Sequence, residues 1–116
     1  MALRRYAVNL SAAYSSSRPS EVTFQATVTT APHYFFGTRT RALHEAFDVR
    51  TAAGPVEIVD NVKLAPRIPL QPGDGITVRG EMVHDPGRMP VVHWTHRDPA
   101  HRHVDGFIQF QGRVYA

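Results

Sequence analysis

The chain has 116 residues and a mass of 13.0 kDa, room for one hydrophobic core, which sets aside two-domain and repeat-array organisations. With 42% hydrophobic and 20% charged residues it has the composition of a soluble globular protein, and its formal charge of +3 is too small and too scattered to identify a partner. The absence of cysteine excludes disulfide scaffolds, thiolate metal centres and cysteine nucleophiles together, and leaves seven histidines as the conspicuous reactive side chains.

All the cations but Lys63 are arginine, which suits phosphate or carboxylate recognition by the planar guanidinium, although a GC-rich coding bias produces the same composition. The N-terminal MALRRYAVNLSAAYSSS has no apolar run long enough for a signal h-region or a membrane span. The expectation is a cytoplasmic protein without membrane contact, a trimmed exported protein being the alternative.

Residues 3–10 alternate loosely and read as a first strand at a sheet edge, followed by a Ser-rich connector with Pro19. Residues 1–20 thus form an N-terminal strand and connector, and 21–116 the body of a single domain. From 22 to 30, Val22, Phe24, Ala26 and Val28 alternate with polar residues, the clearest strand pattern in the chain. Residues 33–41 read as a connection. Strands at 43–50 and 56–62 are expected to pair through the turn at 51–55.

The segment 64–69 is too rich in proline for a helix, and alternation resumes at Ile76, Val78 and Met82. Residues 91–95 and 107–115 supply the last two strands, around a loop at 97–106. No window carries a helical period, so helix is limited to one short segment. Six or seven short strands predict an all-β fold, a small closed or partly open barrel like the oligonucleotide/oligosaccharide-binding (OB) fold. The glycine-punctuated phrase LQPGDGITVRGE resembles the coiled strand of such barrels.

The densest polar chemistry is VVHWTHRDPAHRHVDG at 91–106. Imidazole and carboxylate are ligands for zinc or manganese, and His96, Asp98, His101 and His103 are the metal set to test, although their spacing matches no established zinc signature. Plainer readings have Asp98 capping a turn through Pro99, His93 and His96 donating to carbonyls, and Trp94 packed as core or lid.

A second candidate, HYFFGTRTR at 33–41, interleaves aromatics with arginines, as single-strand nucleic-acid binders do. The plainer expectation, favoured by how often Phe is buried, has one or two of Tyr34, Phe35 and Phe36 plugging the barrel end. Ser15, Ser16 and Ser17 lack the context of a nucleophile, Gly73-Asp74-Gly75 is too short and acidic to cradle phosphate, and Glu45 and Glu81 read as cross-strand surface residues unless the fold brings them to the histidine loop.

The phrases Asp60-Asn61-Val62-Lys63-Leu64-Ala65-Pro66-Arg67-Ile68, Gly73-Asp74, Gly80-Glu81, His93-Trp94-Thr95-His96 with Asp98-Pro99, Arg102-His103 and Gly106-Phe107-Ile108 resemble a small bacterial family, domain of unknown function 3465. His44 with Phe47 looks like that family's upstream histidine-containing strand. The resemblance spans roughly residues 43–116 and implies a compact β domain without an assigned activity. Members of that family often look exported, whereas no signal peptide is expected from this sequence, and the chain carries Asp60 where the family pattern has a histidine before the asparagine.

Together these features predict a β-barrel binding module for single-stranded nucleic acid or an anionic small molecule. Tyr34, Asn61, Arg67, Trp94, Arg97 and Arg102 are its ligand-binding residues. The alternative is a phosphodiesterase-like hydrolase dependent on a divalent metal such as zinc or manganese, with His44 or Glu45 as base. A structural or self-assembly protein using a strand edge is the third class.

Overall fold

A computed structural model describes residues 9–116. A short helix, α1 (Leu10–Ser15), is capped by the Asn9 side chain and followed by eight strands: β1 (Ser20–Val28), β2 (His33–Gly37), β3 (Ala42–Thr51), β4 (Gly54–Asn61), β5 (Gly75–Val83), β6 (Val91–His93), β7 (Phe107–Phe110) and β8 (Arg113–Tyr115). The expected strand at 3–10 lies outside the described residues except at its end, where Asn9 precedes and Leu10 begins the helix.

The strands form one sheet in which β1, β3, β4, β6 and β5 follow one another and β5 returns to β1. A ring of hydrogen-bonded strands is thus the form that the all-β expectation takes. Its firmest seams are β1–β5, paired from Ser20↔Met82 to Thr27↔Gly75, and β3–β4, paired from His44↔Asn61 to Thr51↔Gly54. Its shortest are β1–β3 and the parallel β4–β6 pairing, the latter only Glu57↔Val91 and Ile58↔Val92, with two registered pairs each. The β7–β8 hairpin continues the sheet from β5, because Gln111 and Gly112, both at positive φ, turn the chain inside what the alternation read as one strand.

The alternating apolar residues point into the ring. Val22, Phe24, Ala26 and Val28 of β1 meet Phe47 and Val49 of β3, Val56 and Ile58 of β4, Ile76, Val78 and Met82 of β5 and Val92 of β6 in one buried cluster. Ile68 and Leu70, from the proline-rich segment between β4 and β5, also join that cluster, and Ala65 of the same segment is buried. These residues, not the aromatics of 34–36, are the ones buried from a connecting segment.

The principal addition to the sequence reading is β2. It pairs with β3 from His33↔Ala46 to Gly37↔Ala42 and with no other described strand, so the β2–β3 hairpin projects beyond the β1–β3 contact at Thr27↔Arg50 and Val28↔Val49.

Candidate functional site

Strand alternation sorts the projecting hairpin into two faces. Register places Tyr34 opposite Glu45 and Phe36 opposite Leu43 on one face, and His33 opposite Ala46 and Phe35 opposite His44 on the other. All three aromatics of β2 are exposed: Tyr34 by 43%, Phe35 by 41% and Phe36 by 62%. They do not plug the ring, because β2 lies outside it with one edge unpaired among the described strands. The Arg67 guanidinium sits 4.6 Å from the centre of the Tyr34 ring, and Arg39 and Arg41 are exposed in the hairpin tip, Arg41 at φ 51°.

On the outer face the rings continue across the sheet. Phe35 stacks on His44 with centroids 5.3 Å apart and planes 16° off parallel. Beyond His44 lies a pocket of about 150 Å³ lined by Thr40, His44, Asn61, His93, Trp94 and His96, with Val59 and Leu64 completing the wall. These include the two histidines and the tryptophan of the His-Trp-Thr-His block, the asparagine and the upstream histidine on which the family resemblance rests.

Each imidazole is anchored by one nitrogen. His44 Nδ1 is 3.1 Å from the Ala42 carbonyl and His96 Nδ1 is 2.6 Å from that of Arg97. A carbonyl only accepts, so both rings carry their proton on Nδ1 and present Nε2 as an acceptor when neutral. His93 Nε2 is 2.9 Å from Glu81 Oε1, opposite it across β5–β6, which leaves Nδ1 as its other functional atom. Asn61 Oδ1 accepts from the Lys63 amide at 3.0 Å, so the amide nitrogen remains as a donor.

The loop after β6 is a scaffold for these residues. Asp98 Oδ1 accepts from the Ala100 amide, and Oδ2 accepts from those of Arg102 and His103 at 2.7 Å each. Asp105 Oδ1 accepts from the Asp98 amide, and the Gly106 amide donates to His96 O and closes the loop. Only 4% of Asp98 is exposed, yet its cover is its own loop, not deep protein. Burial there raises the carboxyl pKa, but the His103, Ala100 and Arg102 amides and the nearby His103 ring outweigh it and hold the group below its usual value. His103 in turn stacks on Trp94 at 4.0 Å, and Trp94 takes φ 57° as the chain leaves β6.

Gly106 allows this crossing: a Cβ there would lie 2.0 Å from Trp94 O and 2.6 Å from Arg79 O.

The proposed metal set is therefore not assembled. Asp98 spends both oxygens on backbone amides, His101 is exposed at φ 55°, His103 packs on Trp94, and His96 belongs to the pocket. Among the described residues no three His, Asp or Glu side chains stand close enough to share an ion, zinc and manganese included. Arg97 and Arg102 are exposed on the loop, and Arg67 lies with Tyr34 on the opposite face of the hairpin from His44.

Glu45 cannot serve the same site as His44, because adjacent residues of a strand face opposite ways. It points inward with Phe47 and is fully buried opposite Asp60, which is also fully buried. Asp60 Oδ1 accepts from the Thr95 hydroxyl at 3.0 Å, whereas Asp60 Oδ2 and both Glu45 oxygens meet no hydrogen-bond partner at good geometry. Burial pushes the Asp60 carboxyl up to about 7, Thr95 opposing and the Glu45 charge adding to it. Glu45 is raised too, by burial, although the Tyr34 hydroxyl, the Ile68 amide and the Arg67 charge lie near enough to restrain it. Tyr34 is raised by partial burial and by Glu45. Asp60 thus faces the ring interior and not the imidazole pocket.

Sequence reasoning passed over Phe35 and Phe36 as ligand contacts, His93 with its Glu81 partner, and the Glu45–Asp60 pair. The first carried only the β propensity of Tyr-Phe-Phe as a signal, without the alternation that marks a strand; the second follows from the alternation of Val92 and His93. The third required the β3–β4 register. A larger open depression of about 750 Å³ lies toward the other end of the strands, with Arg50 its only ionisable lining residue and no aromatic face.

No helix among the described residues is long and apolar enough to cross a membrane. No curated protein and no solved structure matches the chain. The model of one protein family, described as a protein of unknown function (DUF3465), matches residues 6–116, well beyond the stretch that carried the resemblance, and the chain belongs to that family.

Proposed function

We propose that this protein binds single-stranded nucleic acid along the projecting β2–β3 hairpin, both faces of which carry exposed rings, and across the adjoining outer face of the β3–β4–β6 sheet. The observation that carries the reading is β2. Three successive aromatic side chains are exposed on a strand paired along one edge, with Arg67 against one ring and Arg39 and Arg41 at the tip. A small domain seldom leaves so many rings in water without a partner for them. Unpaired bases stack on such rings without sequence preference, and arginines neutralise the phosphates between them. The strand face beside the first hairpin is also where OB-like folds take oligonucleotides.

The test is fluorescence anisotropy of a labelled oligothymidylate titrated with protein between about 50 and 200 mM salt, where counterion release predicts affinity falling steeply. Phe36→Ala is expected to weaken binding about 5- to 100-fold, the loss of one base stack. Affinity indifferent to salt, or unchanged in both Phe36→Ala and Tyr34→Ala, would overturn the reading.

A further inference from the structure

We propose that the pocket of His44, Asn61, His93, Trp94 and His96 is a metal-independent ribonuclease centre, cleaving single-stranded RNA by attack of a 2′-hydroxyl on the adjacent phosphodiester. The proposal rests on the nucleic-acid reading above and adds a reaction to it.

The strand order supplies the geometry. β3 and β6 flank β4, so His44 and His93 stand on opposite walls of the pocket with Asn61 of β4 between them. In-line displacement at phosphorus needs this disposition, a base on the side of the attacking oxygen and an acid on the side of the leaving one. The pocket volume of about 150 Å³ equals roughly five waters in the liquid, room for one phosphodiester group but not for a stacked base beside it. Bases would stay outside, against Phe35, whose ring already lies on His44.

The hydrogen bonds define the roles. His44 donates Nδ1–H to Ala42 O, so its Nε2 is the open proton acceptor. His93 donates Nε2–H to the Glu81 carboxylate, which compensates the charge when the ring also carries a proton on Nδ1, as the carboxylate of a catalytic triad does for its histidine. The Asn61 amide, turned by the Lys63 N–H, offers its NH₂ to a non-bridging oxygen. His96, almost fully buried, forms part of the same wall, and Trp94, held by His103, forms another. The imidazoles do not converge on one point, an arrangement of separate proton carriers.

In the reaction His44 Nε2 takes the proton of the 2′-hydroxyl as its oxygen bonds to phosphorus. The bond from phosphorus to the 5′-oxygen breaks, and His93 Nδ1 gives its proton to that oxygen. The products are a 2′,3′-cyclic phosphate and a free 5′-hydroxyl, and proton exchange with water resets the two rings.

The experiment incubates the full chain with a labelled oligouridylate and with the same oligomer carrying one 2′-deoxy residue, in EDTA, while anisotropy follows binding of a DNA oligomer. Cleavage is expected to persist in EDTA, to leave a cyclic phosphate and to skip the deoxy position. His44→Gln and His93→Gln, the second keeping an amide donor for Glu81, are each expected to slow cleavage at saturating protein at least about 100-fold, beyond any change in DNA affinity. Binding without cleavage, cleavage abolished by EDTA, or cleavage by both variants at the rate of the unaltered protein would overturn the ribonuclease proposal alone. Absence of binding to either oligomer would overturn the nucleic-acid reading with it. Should the variants fail to fold, the deoxy substitution and the product's end group still decide the chemistry on the unaltered protein.

Discussion

Asp60→Asn isolates the consequence of burying a second carboxyl opposite Glu45. Burial raises the Asp60 pKa from 3.8 to about 7, so between those pH values the folded protein keeps a proton that the unfolded chain has released. Stability therefore falls as pH rises through this window, and the whole loss is in place above pH 7. The shift of about three units, at about 1.4 kcal/mol each, amounts to about 4 kcal/mol, a large share of the stability of a small domain. Asparagine keeps the acceptor for the Thr95 hydroxyl, removes the ionisation and places an amide where it can donate to Glu45.

Urea unfolding of both proteins from pH 4 to pH 8 is the assay, because the titrating groups other than Glu45, which faces this position, are common to them and cancel in the difference. The two are expected to be close at pH 4, with the variant more stable by about 4 kcal/mol at pH 8. A difference that does not grow between pH 4 and pH 8 would refute the reasoning, since Asp60 would then ionise alike in both states.

Two further outcomes follow from the loop after β6. Gly106→Ala forces a Cβ against Trp94 O and Arg79 O, neither of which can rotate away, and is expected to cost on the order of 2–4 kcal/mol in urea unfolding. Asp98→Ala removes the acceptor of three amides and is expected to speed hydrogen exchange at Ala100, Arg102 and His103, measured by NMR, while the core strands stay protected.

Particular residues show why some of the site was legible and some was not. The ring's apolar face was readable because Val22, Phe24, Ala26 and Val28 alternate with polar neighbours, and the β3–β4 pair because a turn separates two such patterns. β2 escaped because Tyr34, Phe35 and Phe36 form a run without polar alternation, and apolar runs are ordinarily buried; on an edge outside the ring both faces meet solvent. Asp98 read equally well as ligand or turn residue, and its loop decided by folding three amides onto it. Glu45 and His44 read as interchangeable bases, whereas the pleat sends one into the core and the other to the surface pocket.

By itself the sequence determined a cysteine-free chain of short strands with little helix, four of its seven histidines crowded into the region after Val92. Local alternation and turn chemistry are enough for that, since each depends on residues within a few positions. Tertiary structure alone decided which histidines meet. His44 joins His93 and His96 across β4, while His101 and His103, nearer in sequence, are turned away by the Asp98 loop. The pairing of Glu45 with Asp60 is of the same kind: a contact between residues fifteen apart exists only through strand register, which no single strand's pattern contains.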